Sequence, residues 1–265
     1  MRYFLSLSFC GANYRGWQIQ QNAISVQETI EKSLSTLLRE KISITGAGRT
    51  DASVNAINYI AHFDSDSQFI FKEHDKFLYK MNAILPYDIV INDVFSMHEN
   101  AHARFDATSR TYQYFIHFHK DPFLQNSSFQ YKFDLDIDAM NKAASFLIGR
   151  KDFSCFEKVN GGNTNSICTL YEAHWDIVNK EAPGSPKSSI AINNNQIVFT
   201  VRANRFLRNM VRAIVGSLLE IGRGRKNPEW IIDVINSKDR CLAGQSVPGY
   251  ALFLTKITYP YQLCK

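Results

Sequence analysis

The chain has 265 residues, with 45% hydrophobic and 21% charged positions, a composition that excludes a disordered polyelectrolyte and suits one large or two smaller soluble domains. Thirty Lys and Arg against 25 Asp and Glu give a formal charge of +5, which permits a polyanionic partner without requiring one. Cys10, Cys155, Cys168, Cys241 and Cys264 are scattered, with no C-x-x-C pair, so neither a disulfide framework nor a zinc cluster is indicated and a reducing cytosol fits best.

Met1 leads into the alternating run Arg2 to Phe9, which reads as a first strand rather than a secretion signal. No apolar run approaches the roughly 18 residues of a membrane span. A loop with Gly11, Gly16 and Trp17 precedes a helix start at Ser25, where Glu28 three residues on forms a capping-box pattern. Val26, Ile30, Leu34, Leu37 and Leu38 then recur at helical spacing. Strands are expected at about 42–47 and 57–64, a helix at about 74–84 and a strand at about 88–97.

The second set opens with a strand in which Tyr112, Tyr114, Ile116 and Phe118 alternate with Thr111, Gln113, Phe115 and His117. A helix follows at about 137–148, stopped by Gly149, then strands at about 167–178 and 189–202. The stretch Asn179 to Ser189 reads as a surface loop. A long helix is expected at about 205–221, another led by Pro228 and capped by Asn227, and a closing strand at about 250–258. The expected architecture is α+β: two lobes, 1–105 and 106–265, each a mainly antiparallel sheet with helices on one face and a cleft between them.

Several chemistries fail on inspection. Asp134, Asp136 and Asp138 begin like a calcium loop, but Ala139 and Ser145 stand where glycine and glutamate are needed. His117 and His119 lack a third ligand nearby in sequence, and a solvated or base-contacting pair is the better reading. Phosphate-binding glycine loops and a nucleophile elbow are missing. Asp51, in Gly48-Arg49-Thr50-Asp51-Ala52-Ser53-Val54-Asn55, is a lone carboxylate suited either to a turn or to nucleophilic attack. On the expected long helix, Arg205, Arg208 and Arg212 fall at i, i+3 and i+7 on one stripe. That stripe is either a solvated face or, because cations near a helix start are disfavoured, a binding surface for carboxylate or phosphate. Arg110-Thr111-Tyr112-Gln113-Tyr114 either fills a core or stacks a base.

Taken together, and in this order, these segments resemble the TruA family of tRNA pseudouridine synthases over essentially the whole chain. The resemblance also takes in Tyr14-Arg15-Gly16-Trp17-Gln18, Ser25-Val26-Gln27-Glu28, His102-Ala103-Arg104-Phe105, Asp152-Phe153, Phe206 to Arg212 with Val215-Gly216, and Lys238-Asp239-Arg240. It implies a cofactor-free, metal-free cytoplasmic homodimer that isomerises uridine to pseudouridine at positions 38 to 40 of the tRNA anticodon stem-loop. Asp51 is then the nucleophile, Arg212 its charge partner, Arg49 the residue that helps extrude the target nucleotide, and Tyr112 the platform for the uracil near the C5 proton. Arg110, Arg205 and Arg208 join Arg49 and Tyr112 as substrate-binding residues, with other basic side chains on phosphates.

The chain departs from the family where Gly-Val-His becomes Ser53-Val54-Asn55. If that glycine needs φ > 0, Ser53 carries strain, and Asn55 replaces a histidine hydrogen bond without its proton. Ser246-Val247-Pro248-Gly249-Tyr250 also matches only loosely. Two rivals remain: a tRNA-binding protein of the same fold with weak or lost catalysis, and a glycosidase, which wants a second carboxylate that only the distant Asp64 and Asp66 offer.

Overall fold

A computed structural model describes residues 1–159, 165–178 and 196–263. In chain order the elements are β1 (Arg2–Phe9), α1 (Val26–Leu38), β2 (Thr45–Gly46), β3 (Asn55–Asp64), α2 (Phe69–Lys72), α3 (His74–Ile84), β4 (Ile89–Met97) and β5 (Ser109–His117). They continue with β6 (Phe129–Gln130), α4 (Ile137–Ser145), β7 (Gly149–Asp152), β8 (Ile167–Val178), β9 (Gln196–Ala203), α5 (Met210–Gly222), α6 (Trp230–Ser237) and β10 (Leu252–Thr258). The fold is mixed α/β with mainly antiparallel strand pairing, as the sequence pattern led us to expect. No helix among the described residues is long and apolar enough to cross a membrane.

Two compact units divide the chain: Met1–Thr111 with Phe253–Lys265, and Tyr112–Leu252. The last strand is thus placed with the first unit, whereas the sequence pattern assigns everything after residue 105 to the second. In the first unit the strand order is β4-β1-β3-β10, with β2 on β3. β1 pairs antiparallel with both β3 and β4, and β10 runs parallel to β3 with Phe253 opposite Asn55. Ser25 caps α1 by accepting from the Glu28 N–H at 3.2 Å, and Val26, Ile30 and Leu34 are fully buried at helical spacing.

In the second unit the order is β5-β9-β8-β7, with the short β6 parallel to β5. α5 is buried nearly all round, from Met210 to Leu219, which makes it the unit's central helix. Asp136, part of the false calcium pattern, caps α4 through the Ala139 N–H at 2.9 Å. Asn227 accepts from the Trp230 N–H at 2.9 Å, the expected cap, although regular helix begins two residues after Pro228.

Several expectations are corrected. His117 is buried, its Nδ1 2.9 Å from the Ser128 hydroxyl, so it is neither solvated nor free for a base. The 42–47 strand shrinks to β2, and α4 ends three residues before the expected 148, after which Gly149 (φ 103°) opens β7. The expected loop Asn179 to Ser189, and the first part of the strand expected from 189, lie outside the described residues.

Candidate active site

Asp51 lies on the loop joining β2 to β3, and the chain around it is tied down at both ends. At the near end, the Ala47 N–H donates to the Ile60 carbonyl at 2.8 Å. The Tyr59 hydroxyl, whose ring stacks on Trp17 at 4.2 Å, accepts from the Gly48 N–H and donates to the Gly48 carbonyl. At the far end, the Ser53 N–H donates to the Tyr14 carbonyl at 3.2 Å, and the Val54 N–H closes a turn onto the Asp51 carbonyl at 3.3 Å. Asn55 is buried and its side-chain oxygen accepts from the Gly11 N–H at 2.8 Å.

The segment between β1 and α1 therefore cradles the Asp51 loop, and Gly16 shows how closely. It sits at φ 99°, and a Cβ there would lie 2.3 Å from the Thr50 carbonyl oxygen, so only glycine fits. Tyr14 is held in turn by its hydroxyl, which donates to Asp88 at 2.6 Å. Ser53 does occupy the left-handed region, at φ 63°, which is the strain its departure from glycine implies. The Thr50 hydroxyl beside Asp51 is buried with no hydrogen-bond partner among the described residues. Arg49 is exposed, and its guanidinium makes no hydrogen bond or ion pair among the described residues.

Arg110 behaves differently from a surface cation. Its guanidinium donates to the carbonyls of Ala107, Ala47 and Arg104 at 2.8, 3.0 and 2.7 Å, tying the root of the Asp51 loop to the 104–107 turn. Charge-assisted bonds of this kind make it a brace for the loop.

The second unit holds Tyr112, Arg205, Arg208 and Arg212. Tyr112 on β5 is half-buried and meets Phe206 edge-on at 5.1 Å. Tyr114, two residues on, is a core residue whose hydroxyl donates to the Pro248 carbonyl at 3.0 Å. Helix α5 starts at Met210, so the expected arginine stripe does not form: Arg205 and Arg208 precede the helix and only Arg212 lies on it. The reason is local. The Asn204 side chain accepts from the Arg205 and Thr169 N–H groups at 2.9 and 2.8 Å, prolonging the strand geometry. Asn209 then takes φ 66°, which no continuous helix tolerates.

Arg212 donates through Nε to the Val247 carbonyl at 2.6 Å, and its own backbone carbonyl accepts from the Val247 N–H at 3.2 Å. The Asn209 side chain donates to the Ser246 hydroxyl at 2.6 Å, and Arg240 reaches the same hydroxyl at 2.8 Å and the Gly244 carbonyl at 3.1 Å. The buried Ser217 hydroxyl accepts from the Gly244 N–H at 2.8 Å. Helix and loop touch so closely that a Cβ on Gly216 would lie 1.8 Å from the Gln245 carbonyl oxygen. Arg240, Ser217 and Tyr14 escaped the sequence reading as positioning groups. Only the short motifs around Arg240 and Tyr14 hinted at them.

The second carboxylate that a glycosidase would want finds no support among the described residues. Asp64 is taken by a two-point ion pair with Arg2 at 2.9 and 2.8 Å, which holds its carboxyl below the usual range, and Asp66 lies 3.7 Å from the N-terminal ammonium.

Residues 143–260 match the family model described as tRNA pseudouridine synthase. The protein of Parabacteroides distasonis named tRNA pseudouridine synthase A is 44% identical over 99% of this chain and 97% of its own length. The protein of the same name from Bacteroides thetaiotaomicron is 44% identical over 98% of this chain and 91% of its own length. That of Colwellia psychrerythraea is 34% identical over 98% and 94%. Identity of this degree over nearly the full length places the chain in the TruA family of tRNA pseudouridine synthases.

Proposed function

We propose that this chain is a tRNA-modifying isomerase that converts uridine to pseudouridine at positions 38 to 40 of the anticodon stem-loop. In that reaction the bond from N1 to the ribose C1′ breaks, the uracil turns, and C5 bonds to C1′. C5 gives up its proton and N1 ends protonated, so substrate and product are isomers and no cofactor is consumed. Asp51 is the nucleophile: an ionised carboxylate attacks readily and forms an adduct that can reopen. Arg212 is its counter-cation, favouring the charged form. Tyr112 supplies the face on which the uracil stacks and lies near the C5 proton. Arg49 occupies the space the target nucleotide leaves, since a stacked nucleotide is out of a carboxylate's reach. Arg205 and Arg208 hold phosphates, and Arg110 serves the substrate through the loop it braces.

On this reading the two lobes are related, and the enzyme works in the cytoplasm as a homodimer. The single observation that carries it is a carboxylate, Asp51, on a loop tied down at both ends in a chain 44% identical to a protein named tRNA pseudouridine synthase A. The rival, a tRNA-binding protein without catalysis, rested on Ser53 and Asn55. Ser53 adopts the conformation expected of the family glycine, and Asn55 is a backbone acceptor rather than a lost proton carrier, which weakens that rival.

The test is tritium release from [5-³H]uridine-labelled tRNA. Release is expected from an ordinary tRNA and not from a transcript with cytidine at 38 to 40. Binding without release would favour the non-catalytic reading, and release from the cytidine transcript would overturn the assigned positions.

A further inference from the structure

Beside the Asp51 loop, within the first unit, lies a cavity of about 220 Å³. Trp17, Thr45, Gly46 and Gly48 contribute to its walls, and Arg49 and Arg104 both line it. Among the described residues its lining includes no carboxylate. Neither guanidinium is committed to a hydrogen bond or ion pair among the described residues, and both side chains are exposed. Two cations at one concavity repel each other unless an anion joins them.

We infer that Arg104, across the cavity from the Arg49 that takes the target nucleotide's place, grips one phosphodiester of the tRNA strand next to the target uridine. This rests on the proposed function and adds Arg104 as a binding residue. The 102–105 turn is built to present that side chain. The Ala103 N–H donates to His62 Nδ1 at 3.1 Å, and the Arg104 and Phe105 N–H groups donate to His102 Nδ1 at 3.1 and 3.2 Å. The Tyr259 hydroxyl and the Arg110 guanidinium fix the Ala103 and Arg104 carbonyls at 2.6 and 2.7 Å. Rings continue from Phe4 in the core through His62 and His102 to Phe105, which is 75% exposed. The Arg104 guanidinium lies over that last ring at 5.6 Å, a contact that orients the fork through its face and does not use its N–H groups. A solvated surface arginine needs none of this support. The ligand is a phosphate rather than a base, because the lining is mostly polar and Trp17, its aromatic member, is almost completely buried.

Arg104→Gln and Arg104→Lys decide the point, with tRNA binding measured across a salt series and KM and kcat from tritium release. R104Q is expected to weaken binding about tenfold at moderate salt and to flatten the plot of log affinity against log salt by about 0.7–0.9, the share of one phosphate. KM rises with it while kcat changes less than about threefold. R104K restores the slope, because it returns the charge. An unchanged slope in R104Q, with or without lost affinity, overturns the proposal, as does failure of R104K to restore it. Should the wild type release no tritium, the enzymatic reading fails while the salt slope of R104Q still decides this contact.

Discussion

Ser53, at φ 63°, carries a side chain where the backbone is suited to glycine, two residues beyond Asp51. A left-handed non-glycine residue costs on the order of 1 kcal/mol, of which glycine's looser unfolded chain returns a part. Ser53→Gly is therefore expected to raise stability by about 0.5 kcal/mol in urea denaturation and to leave tritium release at least as fast. A loss of similar size would show that the serine side chain supports the loop. At this scale the sequence was informative where a residue has one backbone requirement, as with Ser53. It was misleading where partners decide the role. Arg110 looks like a substrate cation in the chain and turns out to hold three carbonyls, which no spacing rule reveals.

The turn beside the cavity depends on two imidazoles acting as acceptors, so each must keep Nδ1 unprotonated. Burial, with help from His102 and Arg2, pushes His62 down to about 4, against weaker opposing pulls from Asp64 and Asp106. Burial also lowers His102. Unfolded histidine titrates near 6.5, so between there and about 4 the unfolded chain binds more protons than the folded one. Stability should thus fall as pH drops through that window and flatten below it, by on the order of 2 kcal/mol for His62. Urea denaturation from pH 7 to 4.5 checks this: His62→Gln should lose part of the slope shown by the wild type. Equal slopes would remove His62 from the explanation. The elements themselves were mostly legible, because α1, α3, β1 and β8 follow period and capping chemistry. The start of α5 was not. An apolar face running back to Phe206 extends the helical pattern, while Asn204 and Asn209 bond to other segments and stop the helix at Met210.

For the molecule as a whole, the chain closes by returning β10 to the first unit, parallel to the strand that begins at Asn55 just past the Asp51 loop. A sequence read from one end to the other has no signal for that return, since a closing strand looks alike wherever it docks. The candidate residues divide between the units, with Arg49, Asp51 and Arg110 in the first and Tyr112, Arg205, Arg208 and Arg212 in the second. On the proposed reading all of these residues serve one reaction, the one after which the relatives covering nearly the full length are named. The proposal centres that reaction on the Asp51 carboxylate, and Asp51→Asn changes that group while keeping its size. Tritium release from [5-³H]uridine-tRNA by this variant should fall at least about a thousandfold while tRNA affinity stays within about threefold. Release by Asp51→Asn at a rate near the wild type would show that the carboxylate is not the nucleophile.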